Sequence, residues 1–422
     1  MSVTTAPNDA VIVAYQRTPF GRARKGTLAG ERPEDLARAA VSSVLATLLA
    51  VNKVAVDDFY LGTAVPEGAQ GDNIARRVAV LSGMDKLPGA TINRFCASSL
   101  EAMAAGARAI KANDGDVYLV GGVESTSTTP PVTTSPYPGM EKEAERTRRV
   151  LESGDQWSDP RQAGEEPDLY VPMGTTAELV ARSTNTTRRD QDEWALLSQQ
   201  RAVKAIEQSF FEQEILAYER SDGTVIRADD GPRPSTSMDG LEALRPAFIE
   251  GGTVTAGNAS PLTDGASAAV LMSARRADEL GITPLARVLG TAATGLSPEI
   301  MGLGPVEASK KVLQRLGMTI DDIDLIELNE AFAAQVVPVI RELAADPGRV
   351  NVHGGAIALG HPFGATGVRL VGTLMNSLRS TDGTLGLATL CVGGGQGMAM
   401  VIERLSLTGD PVSPTTRLRM IL

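Results

Sequence analysis

Apolar positions along this chain recur with two different spacings. Val11-Ile12-Val13-Ala14 is a short apolar run that reads as a buried strand. From Pro33 to Ala50, residues Leu36, Ala39, Ala40, Val44, Leu45 and Leu48 return on one face of a helix, and Pro33 suits its first turn. Asp58–Gly62 begins another strand. Asn73–Ser82 is helical, with Ile74, Val78 and Leu81 inward. Leu100–Ala112 is an Ala-rich helix with Met103 and Ile110. The stretch 116–124 carries the run Val117-Tyr118-Leu119-Val120, as in a strand covered on both faces. Strands alternating with helices predict α/β layering.

Between Ser125 and Glu250 the pattern breaks. Ser, Thr and Pro crowd Ser125–Pro138, charges crowd Glu141–Asp168, and helical spacing returns over Thr175–Ser183 and Asp190–Gln213. This reads as an inserted, largely helical segment. The sheet pattern resumes at Ala286–Leu289, followed by a helix over Pro305–Leu316 and a strand over Leu325–Leu328. A hairpin is expected over Thr384–Cys391 and Gly397–Arg404. Two stretches resemble one another: Cys96 opens a small-residue helix before a strand ending Gly121-Gly122, and His361 opens another before a strand leading to Gly393-Gly394-Gly395. Leu405–Leu422 shows no period and is expected to be a surface extension.

Composition narrows the function. A chain of 422 residues calls for two or three domains. Its 42% hydrophobic content supplies their cores, and a net charge of −11 argues against nucleic acid as a partner. A polyanionic ligand would have to rely on a few local cations and helix N-termini. With only two cysteines, no disulfide framework is possible, and a reducing compartment fits. Residues 1–9 lack a signal-peptide apolar stretch, no run of about 18 apolar residues predicts a membrane span, and the last three residues are no peroxisomal signal, so a cytoplasmic protein is expected.

Three islands carry candidate chemistry. In Asn93-Arg94-Phe95-Cys96-Ala97-Ser98-Ser99, Cys96 falls at the head of a helix, where free N–H groups and the helix dipole favour a thiolate. The small residues after it leave room for a substrate. The competing reading is a buried structural cysteine. The second island, Asn351–Gly367, holds both histidines. Gly360 and Gly364 allow a sharp turn and Pro362 a helix start, so His361 would be held rigidly as a base or oxyanion donor. A capping or packing role is the alternative, and it suits His353 better. In the third, Cys391-Val392-Gly393-Gly394-Gly395, bare backbone N–H groups could face a substrate oxygen; a tight turn around a buried cysteine is the alternative. A zinc site from two Cys and two His is opposed by the spacing, which offers no close cysteine pair.

Together these islands resemble the thiolase family. Asn93–Ala102 is similar to its nucleophile motif, and Asn329-Glu330-Ala331-Phe332, Gly360-His361-Pro362 and Cys391-Val392-Gly393-Gly394-Gly395 are similar to its later motifs, in the same order. Arg17-Thr18-Pro19, Thr255–Ser260 and Met301–Pro305 match further, so the resemblance spans Val11–Arg404. It implies an α/β thiolase fold: two βαβαβαββ halves forming an αβαβα sandwich, with a loop domain inserted in the first. The expected division is 1–124 with 262–283, a loop domain 125–261 that binds CoA and substrate, a second half 284–404, and a tail 405–422. It implies Cys96 as acyl-accepting nucleophile, His361 as its activator and, with a water on Asn329, one oxyanion hole. Cys96 and Gly393 N–H groups make the other, and Cys391 is the acid/base at the α-carbon. Met173, Ala256, Gly257, Ser260 and Phe332 would line the pantetheine, with Arg233 near the nucleotide.

The implied activity is CoA-dependent cleavage of 3-ketoacyl-CoA. CoA and acyl-CoA are the partners, with no permanent cofactor, no metal and no membrane insertion, and the chain is expected to form homodimers or homotetramers. Two departures stand out: His353 occupies a position where thiolases usually carry Asn, and Pro172 precedes Met173 where short-chain acetoacetyl-CoA thiolases often carry His. The Pro172-Met173 pair and the Gly302–Lys311 stretch are more similar to actinobacterial degradative thiolases, including those acting on fatty acids and steroid side chains. A biosynthetic acetoacetyl-CoA thiolase, a condensing synthase of the same superfamily, or a silent acyl-CoA or lipid carrier are the alternatives. The superfamily's synthases have no need of Cys391, so Cys391 beside Asn329-Glu330 favours a thiolase.

Overall fold

A computed structural model describes residues 5–49, 54–129 and 137–405. The expected tail beyond Leu405, Ala50, and part of the Ser/Thr/Pro-rich stretch lie outside the described residues.

The first half runs β1 (Ala10–Arg17), β2 (Gly21–Arg22), α1 (Pro33–Leu49), β3 (Asp58–Gly62), α2 (Ile74–Leu81), β4 (Ala90–Ile92), α3 (Ser98–Lys111) and β5 (Val117–Ser125). The chain then leaves the sheet for α4 (Glu141–Ser153), α5 (Met173–Ser183), α6 (Arg188–Glu207), the small hairpin β6 (Tyr218–Glu219) and β7 (Val225–Ile226), and α7 (Met238–Glu242). It returns as β8 (Thr263–Ser273), antiparallel to β5 from Val117↔Met272 to Ser125↔Asp264. The second half follows α8 (Ala274–Glu279) with β9 (Ala286–Gly295), α9 (Gly304–Leu316), β10 (Leu325–Leu328), α10 (Ala333–Leu343), α11 (Ala356–Leu359), α12 (Phe363–Thr381), β11 (Leu385–Val392) and β12 (Gln396–Arg404).

Strand order exposes a repeat. The path is β10-β11-β12-β9-β1-β8-β5-β3-β4. Read outward from the centre, β1-β8-β5-β3-β4 corresponds to β9-β12-β11-β10 and a single bridge, Ile326↔Val350, where β4 would stand. A short antiparallel contact, Val11↔Arg287 and Ile12↔Ala286, makes the two sheet layers continuous.

The alternation along each strand decides the layers. Tyr118, Val120, Ala269 and Leu271 face a core that also takes Met398, Met400 and Ile402, and helices α3 and α12 fill it. Val117, Leu119, Val270 and Met272 point the other way, onto α1 and α2. Ala399 and Val401 point away on the opposite side, onto α9 and α10. The order helix, sheet, helix, sheet, helix follows from the two-residue side-chain period of strands whose two faces are both covered.

Helices α3 and α12 can share that central layer because their contacts are small. A Cβ on Gly122 would strike the Gly364 carbonyl, and one on Gly367 the Leu100 backbone. The inserted segment is anchored by a buried arginine. Arg17, fully buried, gives Nε to Glu214 at 2.8 Å and its two Nη to Asp229 at 2.7 and 2.9 Å, with Phe20 beneath the guanidinium. The Arg17-Thr18-Pro19 motif is thus structural here, holding the insert against β1.

Candidate active site

Cys96 lies in a 3-10 turn (Phe95–Ala97) immediately before α3. Its neighbour Phe95 adopts a left-handed backbone (φ 43°) with its N–H held by Asn93 Oδ1 at 2.8 Å. Strain of this kind persists where surrounding contacts over-determine it. His361 follows Gly360 (φ +103°) and precedes α12. The two helix starts are stitched together: Val368 N–H donates to Ser99 Oγ at 3.1 Å, and Gly364 N–H to Glu124 at 2.8 Å. Glu124, buried at the end of β5, also accepts from Ala64 N–H (2.8 Å) and Gln70 (2.6 Å).

The imidazole of His361 is held at both nitrogens. Thr366 Oγ1 lies 2.7 Å from Nδ1, and Asn329 Nδ2 lies 3.2 Å from Nε2. The Thr366 hydroxyl spends its own proton on Pro362 O at 2.8 Å. It therefore accepts from Nδ1–H, which leaves the Nε2 lone pair as the basic site. Burial, with Arg369 nearby, pushes the His361 pKa down to about 3, so the imidazole is neutral.

Cys391, near the end of β11, is fully buried, with Ala177, Ala181, Met301, Ala331 and Phe332 around it. Burial and the proximity of Cys96 hold its thiol well above the usual range. Cys96 itself is partly exposed as a residue, but its sulfur is desolvated, and its pKa is pushed up to about 11. The Gly393 N–H faces that sulfur and pulls the other way. The expectation of a thiolate at a helix head is therefore corrected: desolvation outweighs the dipole, and the resting site holds two thiols and a neutral imidazole.

Cys96, His361, Cys391, Asn329 and Gly393 thus meet where the starts of α3 and α12 face the β11–β12 turn. Phe332 and Ser260 lie together on its rim: Ser260 Oγ donates to Ala331 O at 3.1 Å, and Ala259 bridges Phe332. Phe248 packs edge-on to Phe332 (6.0 Å), and a Cβ on Gly174, next to Met173, would strike the Phe248 ring. Met173 and Ala256 are exposed, while Gly257 is buried against Leu241 and Leu244. Arg233 stands apart, lining a cavity of about 160 Å³ beside Gln199 and Lys204.

His353 is not in the site. Its ring stacks on Phe210 (3.6 Å) and Nδ1 meets Ser377 Oγ at 2.9 Å, a packing role. The roles of Thr366, Thr263 and Glu330 were not legible in the sequence, although Glu330 stands in the Asn329-Glu330-Ala331-Phe332 motif. Thr263 Oγ1 accepts from His361 N–H at 3.1 Å. Glu330 gathers Trp194 Nε1 (3.0 Å), Ser198 Oγ (2.7 Å), Asn351 Nδ2 (2.8 Å) and Ile357 N–H (3.1 Å), fastening α6 to the histidine loop. Of these roles only that of Thr366 left a trace, four residues after Pro362, where its hydroxyl can reach back to that carbonyl. Among the described residues no group of three or more His, Cys, Asp or Glu is disposed to hold a metal ion.

A doubled five-layer fold carrying paired thiols and a neutral imidazole defines a thiolase-type acyl-transfer site. Residues 10–275 match the N-terminal domain of thiolase and 282–404 its C-terminal domain; this chain belongs to the thiolase family. It is 41% identical to a 3-ketoacyl-CoA thiolase of Saccharophagus degradans over 94% of its length and 99% of that protein. It is 42% identical to a beta-ketoadipyl-CoA thiolase of Pseudomonas aeruginosa over 92% and 97%. The dimeric peroxisomal thiolase of Saccharomyces cerevisiae superposes with a TM-score of 0.83 at 34% identity, covering 95% of this chain and 99% of that one.

Proposed function

We propose that this chain is a 3-ketoacyl-CoA thiolase, with coenzyme A as co-substrate. The observation that carries the reading is the meeting of Cys96 and Cys391, one from each half, beside a Gly393 N–H and a doubly held neutral His361.

The chemistry follows from the protonation states. His361 Nε2 takes the proton of Cys96 as its sulfur attacks the keto carbon of the substrate. The tetrahedral oxyanion forms on the carbon bonded to the Cys96 sulfur and is met by the Cys96 and Gly393 N–H groups that face that sulfur; one such donor contributes roughly 2.7–4 kcal/mol. Collapse breaks the bond between the α-carbon and the former keto carbon. The acyl group stays on Cys96, and the enolate of acetyl-CoA departs. Its thioester oxygen is stabilised by His361 Nε2–H and by a water on Asn329, whose Oδ1 has no partner in the protein. Cys391, kept protonated by burial, gives its proton to the enolate carbon and is the base in the reverse direction. Cys391, now a thiolate, takes the proton of a second CoA thiol as that sulfur attacks the Cys96 thioester; the shortened acyl-CoA leaves, and His361 returns its proton to the Cys96 sulfur.

Met173, Ala256, Gly257, Ser260 and Phe332 would line the pantetheine arm and Arg233 the nucleotide. The segment 125–261 acts as the loop domain between halves 1–124 with 262–283 and 284–404; the long excursion between β5 and β8 supports this division. The exposed apolar side chains Leu169, Tyr170, Met173 and Phe248 favour acyl chains longer than acetoacetyl, in fatty-acid or steroid side-chain degradation. A homodimer or homotetramer in the cytoplasm belongs to the same proposal; no described helix is long and apolar enough to cross a membrane. Thiolysis of 3-ketoacyl-CoA substrates from four carbons to steroid size, with Cys96→Ser in parallel, is the test. Acyl transfer should vanish in Cys96→Ser while CoA binding persists, and turnover by that variant overturns the assignment.

A further inference from the structure

The nucleophile and the donor beside it come from different halves of the molecule, so something must hold their separation. Cys96 belongs to the loop before α3, and Gly393 to the β11–β12 turn. No covalent link joins these two distant segments directly.

Both residues preceding Cys96 reach across to that turn. Arg94 gives Nη1 to Gln396 Oε1 at 3.0 Å, and Gln396 Nε2 in turn donates to Gly393 O at 3.3 Å. The same guanidinium gives Nε to Glu101 Oε2 on α3 at 3.0 Å, and Arg94 N–H is held by Ser98 Oγ at 3.0 Å. Phe95 lies against the turn as well: a Cβ on Gly393 would sit 3.4 Å from its ring, and one on Gly394 3.5 Å. Arg94 is thus fastened at one end to the helix that carries the nucleophile and at the other to the turn that carries the donor. Arginine suits the task, because its planar fork can serve two acceptors in fixed directions.

We propose that Arg94 and Gln396 form an inter-half clasp that positions the Gly393 N–H against Cys96, making both positioning residues for acyl transfer. The clasp rests on the thiolase reading above. A misplacement of about 1 Å in a reacting constellation can cost about 10²-fold. The clasp acts one peptide away from the donor, so its loss should slow acylation by about ten-fold.

The test is a double-mutant cycle in the full-length chain with Arg94→Met, Gln396→Met and the pair, read by single-turnover acylation of Cys96 from acetoacetyl-CoA and by KM for CoA. Each single variant should acylate about ten-fold slower with KM unchanged within two-fold. The double variant should be no slower than the slower single, as for two halves of one device. Gln396→Glu can still accept from Arg94 but cannot donate to Gly393 O, so it should lose as much as Gln396→Met. Arg94→Lys keeps one donor and should recover part of the rate. Acylation within two-fold of the parent, effects that multiply in the pair, or a loss carried by KM would each overturn the clasp. If those outcomes appear while Cys96→Ser is dead, the clasp fails and the thiolase reading stands; if the parent chain cleaves no 3-ketoacyl-CoA, it is that reading that fails.

Discussion

Replacing Thr366 by Val is the sharpest probe of how His361 is set. The two side chains have nearly the same shape, so the change removes a hydroxyl with little packing loss. That hydroxyl has two bonds, from His361 Nδ1 (2.7 Å) and to Pro362 O (2.8 Å). The bond to Pro362 is dispensable, because Pro362 O also accepts from Ala365 N–H at 2.9 Å and Thr366 N–H at 3.0 Å. The bond from His361 is not, since a buried Nδ1–H left without a partner costs about 1–3 kcal/mol. Part of that cost is avoided if the proton moves to Nε2 and the Asn329 amide turns its otherwise unpartnered Oδ1 to accept it, which on the proposed mechanism removes the lone pair that deprotonates Cys96. With about 1.4 kcal/mol per ten-fold, a tautomer bias of about 1–2 kcal/mol predicts acylation slowed by roughly 5–30-fold. KM for CoA should not move. Rapid-quench acylation of Cys96 by acetoacetyl-CoA, with mass detection, reads this directly. A Thr366→Val enzyme that acylates within two-fold of the parent would refute the tautomer argument.

Cys391→Ser should still acylate at Cys96 but fail to exchange the α-protons of acetyl-CoA with deuterated solvent; undiminished exchange removes Cys391 from its role. His353→Asn should leave turnover within about two-fold and lower thermal stability modestly, because the Phe210 stack is lost; a large fall in kcat would return His353 to the mechanism. His361 also makes stability depend on pH. Its folded pKa of about 3 lies below the unfolded value near 6.5, so the unfolded chain binds more protons between them, and stability falls as pH drops below 6.5. Between pH 7 and 5 this amounts to about 2 kcal/mol. Denaturant midpoints should show a pH slope shallower by that amount in His361→Asn, and an equal slope in both proteins would contradict the buried neutral imidazole.

Periodicity and local chemistry carried much of this protein. The strand over Leu325–Leu328 and the helix over Pro305–Leu316 follow from runs that are apolar on the right face, and the Gly-rich turns around His361 and Gly393 follow from residues only such turns need. Strand β4 and helix α10 were not legible. Three residues of β4 at a sheet edge set no period, and α10 is apolar nearly all round with Pro338 inside it. The identity of the reacting side chains was local information, since cysteine, histidine and glycine each bring their chemistry with them.

Their protonation was not local. A helix head favours a thiolate, yet the enclosure that closes over Cys96 raises its pKa, because desolvation is a property of everything packed around the sulfur. The partners of His361 were hidden for the same reason: Asn329 follows the end of β10 and Thr263 opens β8, joined only by the folded sheet. Sequence alone determined which groups could react. Tertiary structure decided which of them meet, which proton each holds, and that Cys96 and Cys391 come together from different halves of the chain.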